Sequence, residues 1–143
     1  GSEMCIRDRL ITDQLYLAGE NFGISFQLMD DYLDVFGSTE FGKKIGGDIS
    51  SNKKTYLIIK LLEKANSTDK QRVLKLMNDN NEDENKIKFI TDMMLKYQID
   101  KIAKQKMDIY FDEGMKILSG ISSKKNKILE LKNYFEKMRE RKF

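Results

Sequence analysis

The sequence contains no histidine and no proline, and it has one cysteine among its 143 residues. Without histidine, catalysis by an imidazole and histidine-ligated metal sites are excluded. One cysteine cannot form an internal disulfide, which is typical of proteins from reducing compartments. No apolar run approaches the roughly 18 residues needed to cross a bilayer, and no signal peptide is visible. The sequence therefore predicts a cytoplasmic protein.

Basic and acidic side chains are nearly equal in number. The chain has 26 basic and 23 acidic side chains, for a formal charge of +3. This balance argues against nucleic-acid binding, which favours a strongly basic surface. Hydrophobic residues make up 40% of the chain and charged residues 34%, so a packed core is predicted rather than disorder. The length suits one domain or a piece of a larger one.

The first nine residues differ in character from the rest. Gly1 and Ser2 look like the remnant of a cleaved tag, and residues 3–9 look like translated sequencing adapter. We therefore predict that residues 1–9 are artefact residues and that the natural fold lies in residues 10–143. The apolar pattern begins at Leu10 without a clear cap before it.

Apolar residues recur at three- and four-residue spacing almost throughout, while alternation of β-branched residues is scarce. This pattern predicts an all-α protein, a helical bundle of about six helices. The predicted helices cover residues 11–36, 54–64, 66–77, 85–96, 99–118 and 124–141. A loop is predicted over 37–52, and an acidic turn over 78–85.

The segment FGISFQLMDDYLDVFG, residues 22–37, places three aspartates in an apolar helix. At 100° per residue, Asp30, Asp31 and Asp34 share an arc of about 100° with Gln27. A solvated acidic face is the ordinary interpretation. However, the apolar arc is unusually wide, and no Lys or Arg occurs between Arg9 and Lys43. Since like charges at i,i+4 repel, we favour a bound hard cation such as Mg²⁺, which prefers carboxylate oxygens, water and phosphate.

A basic loop follows, with the sequence FGKKIGGDISSNKKT over residues 41–55. Its lysines are separated by glycines, which permit tight backbone turns. The lysines are Lys43, Lys44, Lys53 and Lys54. A flexible basic surface loop remains an alternative. Beside a carboxylate strip, however, the loop suggests a diphosphate held between metal ions and lysines.

These motifs resemble those of the isoprenyl diphosphate synthases, the polyprenyl synthetase family that includes farnesyl and geranylgeranyl diphosphate synthases. The family's second aspartate-rich region, G-x-x-F-Q-x-x-D-D-x-x-D, is matched at Gly23, Phe26, Gln27, Asp30, Asp31 and Asp34. Its G-K-x-x-G-x-D segment is matched at Gly42, Lys43, Gly46 and Asp48. Its K-x-T-Y/L-P segment is matched at Lys53, Thr55 and Tyr56, but Leu57 stands where proline is usual.

The resemblance implies the C-terminal part of the isoprenoid synthase fold over residues 10–143. It implies transfer of a prenyl group from an allylic diphosphate to isopentenyl diphosphate, assisted by Mg²⁺. The implied metal ligands are Asp30, Asp31 and Asp34. The implied catalytic residues are Lys43, Lys53 and Gln27, and the implied substrate contacts are Phe26, Gln27, Lys43, Lys44, Lys53 and Thr55. Asp48 is expected to orient a lysine or the loop.

The sequence also departs from the family pattern, because only the second of two aspartate-rich motifs is present. We therefore expect half an active site in a truncated chain that is weakly active or inactive alone. Apolar surface left exposed predicts a homodimer or other self-association. The alternatives are a non-catalytic helical partner subunit of a heteromeric prenyl synthase and a related terpene cyclase. The intact aspartates argue against the first, and the lysine loop argues against the second.

Overall fold

The computed structural model describes residues 2–38, 45–80 and 83–143, with side chains from Cys5 onward. The described residues form seven helices and no strand, which confirms the all-α prediction. The helices are α1 (Ser2–Phe36), α2 (Gly47–Ser50), α3 (Tyr56–Lys64), α4 (Ser67–Met77), α5 (Glu84–Lys96), α6 (Ile99–Ser119) and α7 (Lys125–Lys142). None of these described helices combines the length and the apolar character that a membrane crossing requires.

Two helices differ from the sequence-based prediction. Helix α1 begins at Ser2 rather than near residue 11, because residues 2–9 contain neither glycine nor proline to stop it. The predicted loop over 37–52 contains the short helix α2. Gly46 precedes α2 with a φ of 85°, and a Cβ at this position would lie 2.5 Å from Cγ2 of Ile87. Glycine is therefore required there on both conformational and steric grounds.

The starts of α3, α4 and α5 are fixed by side-chain caps. The Thr55 hydroxyl accepts a hydrogen bond from the Ile58 backbone N–H, and Asn66 Oδ1 accepts one from the Asp69 N–H at 2.8 Å. Asp83 caps α5 in the same way. Each cap satisfies an amide that has no partner within its helix.

The chain forms two compact units, and the first comprises residues 1–27 and 106–143. Its core is an aromatic cluster. Phe22 stacks on Phe135 with ring centroids 3.9 Å apart and meets Phe111 edge-on at 5.3 Å. Gly114 lies against the Phe22 ring, where a Cβ would come within 2.8 Å of Cζ. A buried hydrogen bond from Ser25 Oγ to the carbonyl oxygen of Met107, at 2.8 Å, also joins α1 to α6 within this unit.

The second unit comprises residues 28–105 and buries the apolar faces of α2 to α5 with the end of α1. Within this unit, Asp69 joins two helices through polar contacts. The Asp69 carboxylate accepts hydrogen bonds from Lys96 Nζ at 2.7 Å and from the Tyr97 hydroxyl at 2.6 Å. These bonds lower the pKa of Asp69 below its ordinary value. The contact ties the beginning of α4 to the end of α5.

Candidate functional site

The site is built around Asp34, in the last turn of α1. The Asp34 carbonyl oxygen accepts a hydrogen bond from the Gly46 N–H at 2.6 Å. Its carboxylate Oδ2 accepts another from the Asp48 N–H at 2.9 Å. Both contacts reach the beginning of α2, whose first amides have no partner within the helix. The third aspartate of the motif therefore holds the short helix that follows the glycine-rich segment.

Asp34 and Asp31 lie close enough to Asp48 to act on its carboxyl group electrostatically. Burial raises the pKa of the Asp48 carboxyl above its ordinary value, and the negative charges of Asp34 and Asp31 raise the pKa further. Lys53 opposes these effects. Asp31 is only 8% exposed, Asp34 is half-buried and Asp30 is exposed. The sequence analysis placed all three motif aspartates on one polar strip, but Asp31 lies on the buried side of that arc.

Lys53 lies beside these carboxylates. Its ammonium Nζ is 3.8 Å from Asp48 Oδ1, and its backbone N–H donates to the Asp48 carbonyl oxygen at 2.9 Å. The lysine side chain is 56% exposed, so its charge faces solvent as well as Asp48. The expected role of Asp48 in orienting a lysine stays a prediction, and this contact is the geometry that such a role requires. The Asp48 carboxylate of the G-K-x-x-G-x-D segment and the Lys53 ammonium of the K-x-T-Y/L-P segment therefore lie side by side.

The remaining predicted residues are Lys43, Lys44, Phe26, Gln27 and Thr55. Lys43 and Lys44 lie outside the described residues. Phe26 is half-buried in the first unit, with ring centroids 6.2 Å from Phe111 and 6.1 Å from Phe135, and Gln27 is exposed. Thr55 is 5% exposed and its hydroxyl caps α3. The roles of these residues in substrate binding stay predictions.

Asn52 and Lys86 were not predicted from the sequence. Lys86 is 3% exposed, and its Nζ donates hydrogen bonds to Asn52 Oδ1 and to the Asp79 carbonyl oxygen. Lys86 precedes the buried residues Ile90 and Met94 by four and eight positions, on the same face of α5. A lysine in register with an apolar stripe is the signal that could have identified it.

Comparison with known proteins identifies the family. The family model described as polyprenyl synthetase matches residues 4–94. This range contains the aspartates, α2 and Lys53, and it covers more than half of the chain.

The chain belongs to the polyprenyl synthetase family.

Proteins of this family from distant sources resemble the chain over parts of their length. The geranylgeranyl diphosphate synthase of Sulfolobus acidocaldarius is 34% identical over 107 residues, which cover 74% of this chain and 32% of that protein. The farnesyl diphosphate synthase of Micrococcus luteus is 46% identical over 52 residues, which cover 36% of this chain and 18% of that protein. The chain therefore spans a third or less of the length of these curated relatives.

A solved structure supports the same assignment. The crystal structure of a geranylgeranyl pyrophosphate synthase matches with a TM-score of 0.75 and 29% identity. The match covers 86% of this chain and 39% of that chain. The all-helical arrangement is therefore that of the polyprenyl synthetase family.

The donor chemistry of the site can be compared with that of a divalent metal ion. Within residues 5–38, 45–80 and 83–143, no three acidic, cysteine or histidine side chains converge closely enough to hold a metal ion by themselves. Mg²⁺, however, is commonly held by one or two carboxylates, with water and phosphate oxygens completing its shell. Asp34 keeps one carboxylate oxygen besides the one that accepts from Asp48, and Asp30 is exposed. The residues thus fit an ion that retains water and phosphate ligands.

Proposed function

We propose that this chain forms the diphosphate-binding wall of an isoprenyl diphosphate synthase, which joins an allylic diphosphate to isopentenyl diphosphate. The observation that carries the proposal is the meeting of two motifs. Asp34 on α1 holds Asp48 on α2, and Asp48 lies 3.8 Å from the Lys53 ammonium. Carboxylates for a metal ion and a cation for phosphate therefore lie within one short stretch of surface.

The acidic residues would bind the metal ion, and the lysines would bind the diphosphate. Asp30, Asp31 and Asp34 would bind Mg²⁺, directly or through water. When bound, Mg²⁺ supplies positive charge that stabilises a departing diphosphate. Lys53 would contact the diphosphate from the other side, together with Lys43 or Lys44. Asp48 would hold the Lys53 ammonium towards the site.

The reaction itself is a substitution at an allylic carbon. The bond from that carbon to the diphosphate oxygen breaks, and its electron pair leaves with the diphosphate. The double bond of isopentenyl diphosphate then supplies the electrons for the new carbon–carbon bond, and a proton is lost from the product. Because negative charge grows on the leaving diphosphate, a prearranged ammonium such as that of Lys53 stabilises the transition state more than the bound substrate.

Activity of this chain alone is expected to be weak or absent. The sequence carries one D-D-x-x-D motif, at Asp30, Asp31 and Asp34, whereas the family reaction uses two. The three intact aspartates favour a metal-binding role over that of a non-catalytic partner subunit. Self-association as a homodimer and a cytoplasmic location also stay predictions.

Binding of a non-reactive allylic thiolodiphosphate, measured by calorimetry with and without Mg²⁺, tests the proposal. We expect Mg²⁺-dependent binding that Asp30→Ala weakens by about 10- to 100-fold, since a charged contact contributes roughly 1.5–3 kcal/mol. Asp108→Ala, at an exposed position on α6, is the matched control and should bind as the wild type does. Binding of equal affinity with and without Mg²⁺, and in the wild type and Asp30→Ala, would contradict the proposal.

Turnover is tested separately, by incorporation of radiolabelled isopentenyl diphosphate by the purified chain. Little or no incorporation is expected. Robust incorporation would contradict the half-site interpretation while leaving the family reaction intact.

A further inference from the structure

Lys86 is a buried cation outside every motif that marks the family resemblance. It lies in the first turn of α5 and is 3% exposed. A buried ammonium is costly unless hydrogen bonds replace its water. Lys86 obtains two, to Asn52 Oδ1 and to the carbonyl oxygen of Asp79 at 2.9 Å. Since loss of either hydrogen bond would leave the buried ammonium less well compensated, Lys86 constrains the positions of both acceptors.

Asn52 occupies an uncommon backbone conformation. Its φ is 58°, in the left-handed region that non-glycine residues seldom adopt. Its N–H donates to the Ile49 carbonyl oxygen at 3.1 Å, directly after α2 ends. This conformation turns the chain at the residue immediately before Lys53. The side-chain contact from Lys86 therefore acts on the turn that sets the direction of Lys53.

The position of Lys53 depends on this turn in two ways. Its backbone N–H donates to the Asp48 carbonyl oxygen at 2.9 Å, and its Nζ lies 3.8 Å from the Asp48 carboxylate. The backbone hydrogen bond depends directly on the orientation of the peptide that joins Asn52 to Lys53, since such bonds weaken steeply when the donor angle falls below about 120°. The side chain itself is more than half exposed, so packing does not hold it.

We propose that Lys86 is a positioning residue for Lys53. Lys86 fixes the Asn52 side chain, Asn52 fixes the turn, and the turn aims the Lys53 ammonium at the carboxylate site. The inference rests on the proposed function for the diphosphate that Lys53 would bind. Its structural part, the control of the turn by Lys86, stands independently of any ligand.

Hydrogen exchange tests the structural part. Lys86→Met keeps an unbranched apolar side chain of similar length but removes the ammonium. We expect the Asn52 and Lys53 amides to exchange about tenfold faster in this variant, while amides in the middle of α6 keep their rates. Lys88 lies two positions after Lys86 on α5, is exposed and pairs with Asp92. Lys88→Met is therefore the control, and it should leave exchange of the turn amides unchanged. Unchanged exchange of the turn in Lys86→Met would overturn the proposal.

A double-mutant cycle tests the functional part, with Mg²⁺ and inorganic pyrophosphate as the probe. Lys86→Met should weaken pyrophosphate binding by about tenfold, the lower end of the effect of outer-shell residues. In the Lys53→Ala background it should have no further effect, because Lys86 acts through Lys53. A residue that only stabilises the fold would weaken binding equally in both backgrounds, and this outcome would overturn the proposal.

Asn52→Gly provides a second route if Lys86→Met does not fold. Glycine keeps the left-handed turn accessible and removes the acceptor for Lys86. The same faster exchange and the same dependence on Lys53 are expected. If the wild type shows no Mg²⁺-dependent pyrophosphate binding, the proposed function fails. Exchange of the Asn52 and Lys53 amides then still decides whether Lys86 positions the turn.

Discussion

Replacing Gly114 with alanine should reveal how tightly the aromatic cluster of the first unit is packed. A Cβ at this position would lie 2.8 Å from Cζ and 2.9 Å from both Cε atoms of Phe22. Carbon atoms pack without strain at about 3.5–4.0 Å. Phe22 is 1% exposed and stacks on Phe135 at 3.9 Å, so the ring has little room to retreat.

Two opposing contributions decide the magnitude. Alanine in place of glycine within a helix stabilises by about 1 kcal/mol. Forcing an extra carbon into a packed core costs about 1–3 kcal/mol. Gly19 provides the matched control, because it is an exposed helical glycine in the same unit with no atom within 4 Å of its Cβ position. We therefore expect Gly19→Ala to raise the free energy of unfolding by about 1 kcal/mol. The free energy of unfolding of Gly114→Ala should be about 1–3 kcal/mol lower than that of Gly19→Ala.

Urea unfolding followed by circular dichroism measures this difference, and thermal melts should show it as about 3 °C per kcal/mol. Phe22→Leu removes the ring, so Gly114→Ala should be better tolerated in that background than in the wild type. Equal stabilisation by Gly19→Ala and Gly114→Ala would refute the packing argument.

Three further predictions concern hydrogen bonds and charge. Ser25→Ala removes the buried bond to the Met107 carbonyl oxygen and should lower the free energy of unfolding by about 1 kcal/mol in urea titrations; full stability would contradict it. The pKa of Asp69 is lowered by folding, so its stabilisation is present above its ordinary pKa and is lost as pH falls through the lower folded value. The free energy of unfolding of Asp69→Asn should accordingly fall less steeply in acid than that of the wild type. Parallel pH profiles of the two proteins would show that Asp69 does not cause the loss of stability in acid. Asp34→Asn keeps an acceptor for the Asp48 N–H but removes a negative charge, so the raised pKa of Asp48 should fall in carbon-13 titrations; an unchanged Asp48 pKa would count against their coupling.

Local signals were sufficient to predict most of the helices. The apolar spacing from residue 54 onward predicted the last five helices to within a few residues. Helix α2 was missed because four residues give too short a pattern, and its start depends on Asp34, which lies fourteen positions before Asp48. A contact between distant residues leaves no periodic mark in the sequence.

The same reasoning explains which parts of the site could be predicted. The aspartates and Lys53 were predicted from a motif resemblance, which rests on fixed residue types at fixed spacing. The burial of Asp31 was not predicted, because a helical wheel gives an angle but not the neighbour that covers it. Lys86 resembled an ordinary helical lysine, and its partner Asn52 lies 34 positions earlier. Only the folded arrangement brings the two together.

Asp34 serves the fold and the proposed chemistry with one side chain, and this restricts the substitutions that it tolerates. Glutamate has the same charge and metal-binding oxygens, but its extra methylene would move the carboxylate away from the Asp48 N–H, now 2.9 Å distant. Asp30 is exposed, whereas Asp34 is half-buried against α2. An exchange of aspartate for glutamate is therefore expected to be milder at position 30 than at position 34. Across family members, variation between the two acids should be concentrated at the first aspartate of the motif and rare at the last.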